Sequence, residues 1–192
     1  KLRAVHDQWM KQVLDVGLIP EAIMRNWEEK NNQSIYNWVR NQEDFYDELL
    51  LMSSTKIEEK LFEGLNHPNE AVRYWAAQGL YNLDEKIKKS TVDRLNQKLN
   101  DSIINVGISA ASALLKHGSQ SKKIINILSK GLEAQNEWTR LQTSLVLDDF
   151  QEALKILENQ SQNLLSTDTN KYVVRVINHG LNQLNGTSIK VK

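Results

Sequence analysis

No cysteine occurs in the 192 residues. Disulfide bonds, thiol catalysis and zinc–thiolate sites are excluded with it, and cysteine usage leaves the redox compartment open. Proline is almost missing, at two residues, and glycine is sparse at eight, so few positions interrupt a helix. An excess of one charge is missing too: 24 basic side chains balance 24 acidic ones. A dedicated nucleic-acid binder carries a basic excess that displaces counterions from phosphates, and this chain has none. No apolar run approaches the roughly 20 residues of a membrane-spanning helix. G-x-S-x-G, phosphate-cradling glycine loops and H-E-x-x-H do not occur.

What is present is a repeat. HPNEAVRYWAAQGLYNL, from His67 to Leu83, reads as a short break followed by a helix built on Ala and Leu. The layout returns in NVGISAASALL (Asn105 to Leu115) and EWTRLQTSLVL (Glu137 to Leu147). Leu80, Leu114 and Leu147 are then equivalent, 34 and 33 residues apart. A period in the thirties is one helical hairpin per repeat, and hairpins that cannot bury their own apolar face must stack into a solenoid. First helices carry Ile57, Leu61 and Leu65 at four-residue steps, then Val92, Leu95 and Leu99, then Ile124, Ile125, Leu128 and Leu132. Second helices place Val72, Trp75, Ala76 and Leu80, then Val106, Ala110, Ala111 and Leu114, then Trp138, Leu141, Leu145 and Leu147 inward. Small residues such as Ala110 let neighbouring helices approach closely. A fourth, longer unit runs through Leu154, Leu157 and Leu164 to YVVRVINHGLNQL, where Val174 falls opposite Arg73.

Ahead of the repeats, Leu2, Val5, Trp9, Val13 and Val16 share one helical face. Gly17 fits a helix stop and Pro20–Glu21 the start of a second helix, with NNQS (Asn31 to Ser34) as a loop. The aromatic stretch from Ser34 to Ser53 is expected to cap the first repeat, since a terminal unit has a neighbour on one side only.

Little reads as chemistry. His6, His67, His117 and His179 have no second ligand at a metal spacing. The adjacent carboxylates Glu28–Glu29, Glu43–Asp44, Glu58–Glu59 and Asp148–Asp149 point about 100° apart on a helix and do not converge. Arg73 and Arg140 share one repeat position just after the turn, where a guanidinium bonds turn carbonyls and a side chain of the next repeat; Asn69, Asp101 and Asn136 are candidate partners. Trp9, Trp75 and Trp138 fall on the inward faces. Trp27 and Trp38 lie outside the repeats and read as an interface with another domain, together with the stripe around Trp9. Lys86, Lys88, Lys89, Lys122 and Lys123 sit in the loops leaving the second helices, an edge that could attract an anionic glycan, although Asp84 and Glu85 flank its first cluster.

The break-then-Val-Arg arrangement at His67 to Leu83 resembles HEAT repeats, which implies a protein-binding α-solenoid. Gly107 stands where that pattern expects arginine. KLRAVHDQWMKQVLDVGLIPEAIM, from Lys1 to Met24, resembles the closing helix and D-x-G-L-I-P-E turn of bacterial sulfatases. SIYNWVRNQEDFYDELLLMSS, from Ser34 to Ser53, resembles the segment after that turn in sulfatases with a C-terminal HEAT extension. The resemblance implies a parent enzyme that hydrolyses sulfate esters or sulfamates on glycans, with a formylglycine from a C/S-x-P-x-R motif and a calcium ion, and a periplasmic or secreted address. No such motif is present, so the resemblance assigns no catalytic residue, cofactor or metal to this chain.

The expectation is an all-α, HEAT/armadillo-like solenoid of about four helical pairs with an N-terminal cap. Residues 1–30 are the closing helix and linker, 31–53 the cap, 54–186 the repeats and 187–192 a tail. With no Met at Lys1 and no signal-like segment, the chain is expected to be a piece of a longer protein. It would serve as a non-catalytic module of a sulfatase-like hydrolase, bracing the missing domain or mediating protein contacts. The competing reading is a freestanding adaptor that binds along its concave face.

Overall fold

The computed structural model describes residues 2–40 and 45–191. The Glu43–Asp44 pair lies outside them. The described residues form thirteen α-helices and one 3-10 turn, with no strand.

Four hairpins stack in order: α5 (Glu58–Gly64) with α6 (Glu70–Tyr81), α7 (Lys89–Lys98) with α8 (Ile104–Lys116), α9 (Lys122–Leu132) with α10 (Glu137–Asp149), and α12 (Glu158–Thr167) with α13 (Lys171–Asn185). The fourth unit keeps the repeat length, with its cap Asn170 34 residues after Asn136, and its leading connection is wound into a short helix, α11 (Gln151–Ile156). The second helices α6, α8, α10 and α13 form an inner layer whose members pack on one another. The first helices form the outer layer. Leu61, Leu65, Leu80, Leu95, Leu114, Ile124, Leu128 and Leu147 are fully buried along the spine. Each contributes roughly 1.5–3 kcal/mol by leaving water.

The same device starts three inner helices. Asn69, Asn136 and Asn170 each precede the first helical residue and accept hydrogen bonds from the backbone N–H groups that the first turn leaves unpaired. Counting from Asn170 places Val174 at the position of Arg73 and Arg140, which settles the register of the fourth unit.

In front of the stack, α1 (Leu2–Val13) leads through a 3-10 turn (Val16–Leu18) into α2 (Glu21–Asn31), α3 (Ile35–Arg40) and α4 (Phe45–Ser54). Helix α4 packs on α6 as a fifth inner helix would, and so closes the front of the array. The expected stop at Gly17 falls earlier. Helix α1 ends at Val13, Leu14 takes the left-handed conformation (φ 51°), and the Asp15 carboxylate accepts from the Gly17 N–H at 2.9 Å. That cap starts the 3-10 turn and leaves Gly17 inside it. Gly186 does end α13, at φ 63°.

Leu145, Leu141 and Ile57 do not face inward as the spacing predicts. Leu145 is 50% exposed and Leu141 only partly buried; α10 instead buries Thr139, Thr143 and Ser144 beside Val146 and Leu147. The Thr143 and Ser144 hydroxyls donate to the carbonyls one turn back, at 2.8 Å each, so small side chains enter a tight interface without an unpaired polar atom. Ile57 is also half exposed, because it precedes α5 rather than facing inward from it.

Candidate functional site

The arginines are clamps between repeats. Arg73 Nε and Nη2 donate to the two carboxylate oxygens of Asp101 at 3.0 and 2.9 Å, and Nη1 donates to the carbonyls of His67 and Pro68 at 2.9 and 2.8 Å. Arg140 repeats the pattern: Nε and Nη2 reach Asp168 at 2.5 and 3.0 Å, and Nη1 reaches the Ala134 and Gln135 carbonyls at 2.8 and 2.9 Å. Four of the five N–H donors of each guanidinium are directed at the protein itself, which makes both arginines structural clamps. Asn69 and Asn136, also candidate partners, are the caps already described. Burial works against ionisation of Asp101 and Asp168. Hydrogen bonds from the arginine and from the Ile103 and Asn170 N–H groups outweigh it, with the arginine charge, and hold both carboxyls below their usual range. Asp168 follows Arg140 by 28 residues, as Asp101 follows Arg73, and this shared spacing is the sequence signal that points to it.

The middle seam lacks the clamp at both ends. Gly107 occupies the arginine position of the second repeat, and Ala134 occupies the aspartate position two residues before the Asn136 cap. A buried polar network replaces it. The Asn105 amide donates to Thr139 Oγ1 at 3.1 Å and to Gln142 Oε1 at 2.7 Å; Gln142 Nε2 returns a bond to the Asn105 carbonyl at 3.0 Å and reaches Ser109 Oγ, also at 3.0 Å. Gln78 joins from α6 through Ser109.

The inner face is filled from within. Asn105 through Leu114 are ten consecutive buried residues of α8, Ala110 among them, which a helix lining an open concave surface would not show. Side chains meet across it: the Tyr81 hydroxyl donates to Asp149 at 3.1 Å, and its ring meets Phe150 edge to face. The N-terminal segment spans the same side. Trp75 Nε1 donates to the Leu18 carbonyl at 2.6 Å, Trp27 Nε1 donates to Glu70, and α2 continues as far as α10. Arg25, Asn26 and Glu29 there share a polar groove with Asn136, Glu137 and Trp138.

The tryptophans are redistributed accordingly. Trp27 and Trp38 do not form an exposed interface: Trp27 is 3% exposed, Trp38 stacks on it at 3.9 Å between centroids, and Phe45 closes on both. Trp75 and Trp138 are half-buried on the inner side rather than in the spine. Trp9 is the reverse case. It is 52% exposed on a stripe with Leu2, Val5 and Val13, and of the described side chains of α1 only Met10 is buried. Met10 packs into the core and Lys11 pairs with Asp47 of α4 at 2.6 Å, an exposed contact, so the apolar stripe of α1 faces outward.

The remaining candidates serve structure. Lys88 pairs with Glu59, its N–H bonds Glu58 at 2.8 Å, and their groove also holds Asp84 and Glu85. The first lysine cluster is therefore a mixed-charge surface rather than a basic edge; Lys89, Lys122 and Lys123 are exposed. His67 Nδ1 accepts from the Asn69 N–H at 3.0 Å, and His117 Nε2 meets the Leu80 carbonyl at 2.8 Å. Asp148 holds His179 at 2.7 Å while Asp149 turns to Tyr81, so these neighbouring carboxylates do not converge. No group of three metal-ligating side chains occurs among the described residues, and no described helix is long and apolar enough to cross a membrane.

A search of curated proteins finds no match to this chain. Among protein-family models, the one described as HEAT repeats matches residues 58–148, from the start of α5 to the end of α10. The match covers both halves of the first clamp and the arginine of the second, along with the unclamped seam between them. The chain thus carries a HEAT-repeat region, set within an all-α solenoid.

Proposed function

We propose that this chain is a non-catalytic scaffold module that braces a hydrolase of the sulfatase type through its first helix. HEAT repeats support the scaffold half of that reading, since such arrays hold proteins rather than transform small molecules. The carrying observation is the outward stripe of α1, in which Leu2 is 88%, Val5 63%, Trp9 52% and Val13 45% exposed on a helix whose Met10 packs into the core. A contiguous apolar face of this kind on a held helix is a docking surface. The hydrolase half rests on the resemblance of Lys1 to Met24 to a sulfatase closing helix. In such a parent the formylglycine and the calcium ion would belong to the catalytic domain, and α1 would seal against it.

The competing adaptor reading is disfavoured by the inner face. Helix α8 is buried from Asn105 to Leu114 and α2 extends over to α10, so the inner side of the described residues is largely occupied by the chain itself.

The test begins with the coding sequence upstream of Lys1. A C/S-x-P-x-R motif a few hundred residues earlier is the expected result, and a start codon near Lys1 would end the hydrolase reading. In the full protein, Val5→Ser with Trp9→Ser should then loosen the module from the enzyme while the repeats melt as before. Unchanged cohesion would remove α1 as the docking face.

A further inference from the structure

We propose that the seam between the second and third repeats is a hinge, latched on the inner side by the N-terminal segment and by Tyr81. The two neighbouring seams carry a buried bidentate ion pair, Arg73–Asp101 and Arg140–Asp168. At the middle seam both members are absent together, as Gly107 and Ala134. The packing agrees. Helix α8 lies more extensively against α6 than against α10, and α10 more extensively against α13 than against α8. Helix α9 packs on both α8 and α10 from the outer layer, which makes it the pivot.

A set of hydrogen bonds crosses the seam on the inner side, in place of the ion pair found at the neighbouring seams. Asn105, Thr139, Gln142 and Ser109 exchange hydrogen bonds there. Such bonds have replacements in water, so separating them costs far less than separating an apolar interface or stranding a buried charge. Two further contacts bridge the gap. Tyr81 reaches Asp149 and Phe150 from α6, and α2 extends from Glu70, which accepts from Trp27, to α10. Both join the front half of the array to the back half. Releasing them would let α10 swing from α8 about α9 and uncover the small-residue face of α8, while each clamped half moves as one body. The hinge is independent of which partner docks on α1.

The absence of native cysteine allows spin labels to be placed at will on the full chain. The exposed pair Lys89→Cys (α7) and Arg175→Cys (α13) spans the seam. Lys60→Cys with Lys89→Cys lies within the front half, and Lys123→Cys with Arg175→Cys runs from the pivot to the back half. Pulsed electron–electron distance measurements should give a second, longer population for the seam-spanning pair alone. Tyr81→Phe, which removes only the hydroxyl, and Glu70→Gln, which weakens the Trp27 contact, should each enlarge that population and leave the other two pairs unchanged. Equal widths in all three pairs, or equal broadening in all three, would overturn the hinge. A long population indifferent to both substitutions would overturn the latch.

Discussion

Arg73 and Asp101 are 28 residues apart and meet through two parallel hydrogen bonds, with the side chains 11% and 5% exposed; Arg140 and Asp168 share the spacing and the geometry. A fork of two bonds to a carboxylate fixes orientation as well as distance, which a lysine ammonium cannot do. Each clamp therefore sets the angle between one hairpin and the next.

Removing Asp101 leaves the buried Arg73 with only the turn carbonyls, and removing Arg73 leaves the buried Asp101 with the Ile103 N–H and with Lys98 at 3.4 Å. Arg73→Met is expected to cost about 3–5 kcal/mol in urea unfolding, and Asp101→Asn a similar amount. The double variant should recover part of the loss, and strict additivity would mean that the pair does not act as a unit.

The clamps also set the acid limit. Both aspartates ionise more readily in the folded chain than in the unfolded one. Their contribution is present above the unfolded carboxylate value of about 3.9 and is lost as pH falls through the lower folded value. Thermal melts should thus fall steeply below about pH 4, and the Asp101→Asn, Asp168→Asn variant should show a shallower acid slope than the parent. Parallel slopes would show that other carboxylates govern acid unfolding.

Ala110 tests the closed inner face. It is fully buried in a helix with ten consecutive buried residues. Ala110→Glu places a carboxylate there without a partner and is expected to cost more than about 4 kcal/mol, enough to unfold a domain of ordinary stability. A melting temperature equal to the parent's would contradict the burial.

The lysine edge makes a contrasting prediction. With Lys88 held by Glu59, and Asp84 and Glu85 in the same groove, the chain should elute from heparin at low salt. Retention that disappears only when Lys88, Lys89, Lys122 and Lys123 are all neutralised would restore the anionic-glycan reading.

The hairpins are legible in the sequence because burial on one helix face leaves a periodic trace, carried by the spacing of Leu80, Leu114 and Leu147. Arg73 and Arg140 stand out by recurring, and Asp101 is within reach of one repeat length. Asp168 carries the same trace, 28 residues after Arg140, but aligning the fourth unit on its leucines does not bring it out. Periodicity reports that a face is covered and not what covers it. For that reason Trp27 and Trp38 read as an interface when they pack on each other, and the stripe around Trp9 reads as inward when it faces water. Leu145 misleads for a related reason: α10 buries hydroxyl residues that bond their own backbone, a pattern hydrophobicity does not register.

The central claim is that the N-terminal helices seal the inner side and leave the face of α1 free. Hydroxyl-radical footprinting of the intact chain reads all five tryptophans at once. Trp9 should oxidise fastest, Trp27 slowest, and Trp38, Trp75 and Trp138 between them. If Trp27 and Trp75 oxidised as fast as Trp9, the N-terminal segment would not cover the repeats and the claim would fail.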